Sequence, residues 1–143
     1  MIVEIEVCTK IDDEVINAFT RLLPQLSKTS EPPAQNDLEE IISHSACSVL
    51  LARVEEKIVG SLTLVIFPLP TGKRAWIEDV VVDESIRGSG VGEKLNLVAI
   101  EIANKQGVRT IDLTSRPSRE AANRLYKRLG FQERATNVYR YES

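Results

Sequence analysis

The sequence has few of the side chains from which metal sites and nucleophilic catalytic centres are usually built. Its 143 residues include one histidine, His44, and two cysteines, Cys8 and Cys47. No His/Cys metal cluster can be assembled from these, and the carboxylates lack a supporting spacing, so we expect no metal. Ser–His–Asp chemistry would have to use His44 alone. We expect both cysteines to be small apolar side chains rather than a disulfide framework.

Long apolar runs and a strong charge of one sign are also missing. The longest apolar runs fall far short of the roughly 18–20 residues of a membrane span. The N-terminus alternates apolar and charged residues, unlike a secretory signal. Eighteen Lys and Arg against 21 Asp and Glu give a formal net charge of −3, which argues against a broad nucleic-acid-binding surface. We expect a cytoplasmic protein that binds neither membrane nor nucleic acid.

The hydrophobic periodicity indicates one α/β domain over residues 1–143. Apolar residues at helical spacing predict four helices, and period-two alternation predicts seven strands. Their order, β-α-α-β-β-β-α-β-α-β-β, predicts a mixed sheet with helices on both faces. The helices are predicted at 12–26, 37–44, 90–105 and 118–129, and the strands at 2–8, 48–54, 58–67, 74–82, 109–114, 131–135 and 138–141.

The most informative segment is a predicted strand that runs through a glycine-rich turn into a helix. It reads IEDVVVDESIRGSGVG over residues 77–92. Backbone N–H groups of glycines can approach a bulky anion closely, and a helix N-terminus adds unpaired donors and partial positive charge. Arg87 adds a permanent cation. These features suit phosphate, although glycines in such turns also serve simply to pack a helix tightly.

Two common nucleotide-binding motifs are absent from this turn. A Walker A loop needs Gly-Lys-Ser/Thr at its end, which the sequence lacks. A Rossmann fingerprint needs Gly-x-Gly-x-x-Gly, usually in the first βα turn, whereas the glycines here alternate and come late in the chain. A phosphate site would therefore belong to a different class of fold.

Two segments resemble the signature motifs of the GCN5-related N-acetyltransferases (GNAT family). The segment RGSGVG at 87–92 is similar to that family's Arg/Gln-x-x-Gly-x-Gly/Ala motif, and VVVD at 80–83 is similar to its central strand. The segment NRLYKRLGF at 123–131 resembles its C-terminal Leu-Tyr-x-x-x-Gly-Phe signature. The resemblance implies a GNAT-like acyl-CoA N-acyltransferase fold with a mixed, mostly antiparallel central sheet, and acetyl-CoA as the co-substrate.

The resemblance also implies where acetyl-CoA binds. The pyrophosphate is expected on the amides of the turn, and the pantetheine arm along the central strand beside a β-bulge. Tyr126 matches the family tyrosine that can protonate the CoA thiolate, with packing under Phe131 as the structural alternative. Arg119 stands where many members have asparagine, and either reaches a CoA phosphate or lies in solvent. The expected cofactor-binding residues are Val80, Val81, Val82, Arg87, Gly88, Ser89, Gly90, Val91, Gly92, Glu93, Arg119 and Tyr126.

Glu78 is the candidate group for the acceptor amine. Regular alternation puts Glu78 and Val80 on one face of the strand, near the expected thioester, and Asp79 on the other. Glu78 is then either a general base or a carboxylate that binds the substrate ammonium. The segment IEDVVV also resembles the central strand of glucosamine-phosphate acetyltransferases and related small-amine enzymes. Family likeness places the acceptor near residues 22–38 and 132–140, where acidic and basic side chains give opposite cues.

We therefore expect an acetyl-CoA-dependent N-acetyltransferase, with Glu78 and Tyr126 as catalytic residues, that acetylates a primary amine of a small molecule or peptide directly. Neither cysteine is placed for a covalent acetyl-enzyme. One alternative is a noncatalytic acyl-CoA-binding regulatory module that uses the same turn. Another is a protein-interaction domain in which the glycines only pack a helix. Family analogy also makes a homodimer plausible, and the sequence indicates no interface.

Overall fold

The computed structural model describes residues 1–143, which divide into an N-terminal unit, residues 1–113, and a C-terminal unit, residues 114–143. The single domain predicted over the whole chain stays a prediction. None of the helices combines the length and the apolar character needed to cross a membrane. The elements of the N-terminal unit are, in order, β1 (Val3–Val7), α1 (Asp13–Leu26), α2 (Gln35–Ser43), β2 (Cys47–Val54), β3 (Lys57–Phe67), β4 (Arg74–Val82), α3 (Val91–Lys105) and β5 (Thr110–Asp112). The C-terminal unit contains α4 (Glu120–Arg128).

The central sheet has five strands in the order β1-β2-β3-β4-β5. The first three neighbouring pairs are antiparallel, and β5 joins β4 in parallel. Hairpins can join antiparallel neighbours, whereas the parallel pair needs a crossover, which α3 provides. The predicted mixed, mostly antiparallel sheet is confirmed.

Helices cover both faces of this sheet. On one face, α1 and α2 bury Phe19, Leu22 and Leu38 against Val49 and Leu51 of β2. On the opposite face, α3 approaches β3 so closely that a Cβ built on Gly60 would lie 3.3 Å from side-chain carbons of both Val91 and Leu95. Because side chains alternate along a strand, β2 and β3 contribute to both layers. The prediction of helices on both faces is therefore confirmed.

Most predicted element positions are correct, and helix starts show the clearest differences. Asp12 caps α1 as expected, since its Oδ1 accepts a hydrogen bond from the Val15 N–H at 3.0 Å. Helix α2 was predicted to open at Asp37, but it begins two residues earlier, at Gln35. The Asp37 carboxylate accepts from the Ala34 N–H at 3.0 Å, so this acidic residue supports the helix from its third position.

The predicted closing strands at 131–135 and 138–141 are wrong, since the structure has no strand after β5. Val138, Tyr139 and Tyr141 are 74%, 86% and 93% exposed. Alternation indicates a strand only where a neighbouring strand supplies backbone hydrogen bonds and another layer covers the apolar face. This segment has alternating residues without such a covered face.

Gly60 lets α3 and the sheet pack closely, and we predict that Gly60→Ala destabilises the protein. Its Cβ would lie 3.0 Å from the Val81 carbonyl oxygen, which is backbone and cannot rotate away. Such overpacking costs about 1–3 kcal/mol, to be measured as the free energy of unfolding in urea. The matched control is Leu97→Ala on the exposed side of α3, where Leu97 is 49% exposed. This variant should lower the free energy of unfolding by only about 0.5 kcal/mol. Equal stabilities of the two variants would contradict this role for Gly60.

Candidate functional site

A β-bulge interrupts β4 in the middle of the segment that the sequence singles out. Ser61 of β3 pairs with Val81, but Thr63, two residues on, pairs with Glu78. Asp79 and Val80 therefore oppose a single residue of β3. Asp79 has φ +49°, in the left-handed region, which aspartate tolerates better than most residues. A bulge at this place was expected from the family resemblance.

The bulge also changes which face Glu78 occupies. Ser61 and Thr63 lie on one face of β3, so their partners Val81 and Glu78 share a face of β4. Val81 belongs to the core formed with α1 and α2. The expectation that Glu78 shares a face with Val80 is therefore wrong, because the extra residue reverses the alternation. Glu78 lies on the same face of the sheet as α1 and α2.

One edge of β4 is open beside the bulge. Strand β5 pairs with β4 only at residues 74–76, so residues 77–82 have no strand partner on that side. Unpaired N–H and C=O groups along such an edge can hydrogen-bond an extended ligand as if it were another strand. The three valines at 80–82 thus lie at an edge of β4 without a strand partner, while Val81 keeps its side chain in the core.

The glycine turn follows β4 and opens directly into α3. A 3-10 turn, Glu84–Ile86, precedes it, and Gly90 is the N-cap of α3. Gly88 and Gly90 have φ +81° and +89°, and a Cβ on either would meet nothing within 4 Å. These two glycines are therefore required by backbone conformation and leave open space, so they do not serve close helix packing.

The first amides of α3 have no capping side chain. The earliest hydrogen bond of the helix runs from the Lys94 N–H to the Gly90 carbonyl at 3.1 Å. The N–H groups of Val91 and Gly92 come before it and have no acceptor within the helix. Glu93 completes this first turn. Together with the helix dipole, these donors favour an anion.

Arg87 and Ser89 complete the turn. The Arg87 Nε donates to the Val82 carbonyl at 3.4 Å, and its guanidinium lies 4.0 Å from the Glu84 carboxylate. Both side chains of that ion pair are more than half exposed, so the pair is weak and the guanidinium can turn to another anion. The Ser89 hydroxyl donates to the Ile86 carbonyl.

The start of the turn is held by residues that sequence reasoning missed. Asp83 is only 7% exposed, and its Oδ1 accepts from both the N–H and the hydroxyl of Ser85, at 3.1 and 3.0 Å. Arg21 of α1 reaches its Oδ2 at 3.3 Å. These hydrogen bonds, led by the Ser85 N–H, and the positive charge of Arg21 lower the pKa of Asp83. An aspartate just before a turn was a usable signal for Asp83, but nothing in the sequence pointed to Arg21.

Glu78 has the electrostatic setting of a carboxylate that holds a proton more readily than usual. Loss of hydration is the larger cause of its raised pKa, and the nearby negative charge of Asp79 adds to it. Its side chain remains exposed. No three His, Cys, Asp or Glu side chains are grouped so that they could hold a metal ion.

The Leu-Tyr-x-x-x-Gly-Phe signature forms the end of α4. Gly130 has φ +102°, its N–H donates to the Lys127 carbonyl at 3.1 Å, and the Phe131 N–H donates to the Tyr126 carbonyl at 3.0 Å. This pair of hydrogen bonds is a Schellman motif, which commonly includes an apolar contact between the residues at its two ends. The Tyr126 and Phe131 rings make that contact edge to face, with centroids 5.8 Å apart.

The other candidates of the C-terminal unit lie on the same helix. Tyr126 is 9% exposed, and burial raises the pKa of its phenol, although the positive charge of Arg119 offsets part of the rise. Arg119 is the N-cap of α4, one residue beyond the Ser118 that was expected to begin the helix. The Asn123 side-chain amide donates to the Arg116 carbonyl at 2.9 Å, across the loop before the helix.

Comparison with known proteins gives this chain a family match. A model described as "Acetyltransferase (GNAT) family" matches residues 13–131. A glucosamine 6-phosphate N-acetyltransferase of Trypanosoma brucei brucei is 43% identical over 79 residues, which are 53% of this chain and 52% of that protein. The chain spans between 26% and 52% of the length of the curated relatives it matches.

Solved structures share the fold over nearly the whole chain. One from Bacillus halodurans C-125, described as a transcriptional regulator, has a TM-score of 0.80 at 28% identity and covers 98% of this chain and 99% of that one. An aminoglycoside acetyltransferase from an uncultured soil metagenomic sample has a TM-score of 0.85 at 21% identity and covers 99% and 95%. Both likenesses agree with the mixed α/β sheet described above.

Proposed function

The chain belongs to the GNAT acetyltransferase family, and on that premise we propose that it is an N-acetyltransferase that uses acetyl-CoA. The acetyl group passes directly to a primary amine of a small molecule or peptide, in the cytoplasm and without a metal. The observation that supports this most is the open edge of β4 at residues 77–82, followed within a few residues by the two positive-φ glycines of the turn. An extended ligand that ends in phosphates matches that pair of features.

Acetyl-CoA has both parts of such a ligand. Its pyrophosphate would accept hydrogen bonds from the amides of the turn, with Arg87 as the added cation. Its pantetheine arm would lie along the open edge of β4 and pair with the backbone of residues 80–82. N–H groups near the bulge would then polarise the thioester carbonyl and stabilise the negative charge of the tetrahedral intermediate.

The reaction needs one proton acceptor and one proton donor. The neutral amine nitrogen attacks the thioester carbon, the tetrahedral intermediate collapses, and the C–S bond breaks with its electron pair on sulfur. The amine proton passes to Glu78 or to a water, and the CoA thiolate takes a proton from the Tyr126 hydroxyl. Glu78 suits this task because its pKa is raised and it lies on the face that α1 and α2 cover. Its alternative role is to bind the ammonium form of the amine.

Small amines are the first acceptors to test. The Trypanosoma relative is named for glucosamine 6-phosphate, and the metagenomic structure is of an aminoglycoside acetyltransferase. The exposed C-terminal segment contributes Arg134 and Arg140, which could meet a phosphate or carboxylate on such an acceptor. Peptide N-termini form the second group of acceptors.

A noncatalytic acyl-CoA-binding module is the second candidate function. The similar Bacillus halodurans structure is described as a transcriptional regulator, which favours this reading. The retained Glu78 and Tyr126 favour the enzyme, because a binding module needs neither an acid nor a base. The protein-interaction alternative loses support, since a Cβ on Gly88 or Gly90 would touch nothing.

Calorimetric titration with acetyl-CoA and CoA, followed by thiol-release assays on a panel of amines, tests the proposal. Binding together with turnover is the expected result. Binding without turnover on any amine would favour the regulatory module. A folded protein that binds neither compound would overturn both.

Gly90→Asp and Gly90→Asn test the anion site as a matched pair. Both residues tolerate positive φ and find open space at this position, so both variants should fold. Both side chains enter the space where the pyrophosphate would bind, and only aspartate adds a negative charge. We expect the Kd for CoA of the Asp variant to exceed that of the Asn variant about tenfold, with a smaller ratio at high salt. Equal Kd values for the wild type and both variants would remove the pyrophosphate from this turn.

Glu78→Gln tests the acceptor side through the pH dependence of kcat/KM. If Glu78 is the base, the wild-type rate falls as pH drops through its raised pKa, because the protonated carboxyl cannot accept a proton. The Gln variant should lack that pH-dependent limb, and its kcat/KM should be about 100-fold lower than that of the wild type. Asp79→Asn, the control, should move the limb to lower pH, since it removes a nearby negative charge. A raised KM for the amine with an unchanged kcat would instead identify an ammonium-binding carboxylate, and no change in either would exclude both roles.

Tyr126→Phe separates the acid role from ring packing. Phenylalanine keeps the edge-to-face contact with Phe131 and loses only the hydroxyl. We expect kcat to fall about 100-fold, while the Kd for CoA stays within about threefold. Phe131→Leu is the packing control, and it should lower the free energy of unfolding more than Tyr126→Phe does. Wild-type kcat in the Tyr126→Phe variant would assign Tyr126 a packing role alone.

A further inference from the structure

Helix α1 holds the start of the glycine turn at two points. The Arg21 guanidinium donates to Asp83 Oδ2 at 3.3 Å and also to the Ile58 carbonyl. One helical turn further on, Gln25 Oε1 accepts from the Glu84 N–H at 2.8 Å. Residues four apart face the same side of a helix, so both side chains reach the same stretch of chain. The segment that leaves β4 is thus fastened to a helix that precedes it by about sixty residues.

Asp83 is the junction of these contacts. Its N–H donates to the Val59 carbonyl at 2.8 Å, and its own carbonyl accepts from the Ile86 N–H at 3.0 Å. Its carboxylate takes hydrogen bonds from Ser85 and Arg21. A buried carboxylate with this many donors has one orientation, so the direction in which the chain enters the turn is set from both sides.

A further hydrogen bond links this segment to the glycines of the turn, which face open space. The Ile86 carbonyl accepts a hydrogen bond from the Ser89 hydroxyl, and the next residue, Gly90, is the N-cap of α3. Several amides bind one pyrophosphate well only when they already point to the same place before it arrives. Contacts that hold the turn in that shape lower the ordering cost of binding and so raise affinity.

Apolar packing holds α1 on the sheet independently of these polar contacts. Helix α1 is held on the sheet by Val15, Ala18, Phe19 and Leu22, all of which are buried in its core. The Arg21 side chain is 37% exposed and the Asp83 side chain 10%, so the ion pair lies at the boundary between solvent and this core. The polar contacts of Arg21 and Gln25 with Asp83 and Glu84 are therefore well suited to set the shape of the turn.

We propose that Arg21 and Gln25 are positioning residues that hold the glycine turn, through Asp83 and the Glu84 amide, in the conformation that binds the pyrophosphate of acyl-CoA. The proposal rests on the proposed function. Neither residue contacts the cofactor directly. Both act on the affinity for CoA and leave the chemistry of transfer to other groups.

Arg21→Met and Gln25→Met test this by removing the hydrogen bonds while keeping side chains of similar length. We expect the Kd for CoA and the KM for acetyl-CoA to rise about tenfold, while kcat stays within about twofold. Turnover with S-acetylpantetheine, which lacks the pyrophosphate and the nucleotide, should match that of the wild type. Gln25→Glu keeps an oxygen acceptor for the Glu84 N–H, so it should restore most of the affinity for CoA.

Arg53→Met is the matched control at the other end of the same helix. Arg53 of β2 binds Glu14 of α1 at 2.9 Å and Glu6 of β1 at 2.6 Å, and no contact of its side chain reaches the turn. This variant removes a comparable ion pair from α1. Its Kd for CoA should equal that of the wild type, whatever happens to its stability.

The outcomes separate this proposal from the proposed function. A wild-type protein that does not bind CoA would contradict the function itself. If the wild type binds and both Met variants bind equally well, the positioning role is wrong. An equal loss of turnover with S-acetylpantetheine, or an equal loss of affinity in Arg53→Met, would show general damage to α1 and would also overturn it. Gln25→Met removes one hydrogen bond from a half-buried side chain, so it remains informative if Arg21→Met does not fold.

Discussion

The one-residue bulge in β4 is the constraint on which the candidate site depends. On one side of the bulge, Val81 stays locked in the core under α1 and α2, so the strand cannot slide to restore a regular register. The extra residue moves Glu78 onto that same face. Because β5 pairs with β4 only before the bulge, the backbone beyond it has no strand partner on the side opposite β3. An edge of β4 without a strand partner and an acidic side chain, Glu78, thus lie within a few residues of the bulge.

The glycines near α3 are needed for two different reasons. Gly60 lies where a Cβ would press on the Val81 carbonyl, so its small size allows the helix and the sheet to meet. Gly88 and Gly90 face open space, and their positive φ is what disfavours most other residues. Close packing therefore fixes the position of the helix, while the conformation of the turn exposes its first amides. An anion-binding turn needs both.

The C-terminal signature has a structural and a proposed chemical role at once. The Schellman motif requires Gly130 for its positive φ and joins Tyr126 to Phe131 by a hydrogen bond and a ring contact. That arrangement holds the Tyr126 ring rigidly, which also suits a group that must deliver a proton to one atom. Packing and catalysis by Tyr126 are therefore compatible, and the two roles that the sequence left open need not compete.

Local sequence patterns were sufficient to predict most of the helices and strands and the glycine turn. Three features depend only on residues close in the chain, so the sequence alone determined them. They are the helix cap at Asp12, the strand at 74–82 and the glycine turn that opens α3. Local alternation failed at Glu78 and at residues 131–141, because a bulge and the absence of a partner strand are properties of the sheet. The contacts of Arg21 and Gln25 with the turn join residues about sixty positions apart. Only the tertiary structure decided these features, since hydrogen bonds between distant segments exist only once the sheet and α1 have packed together.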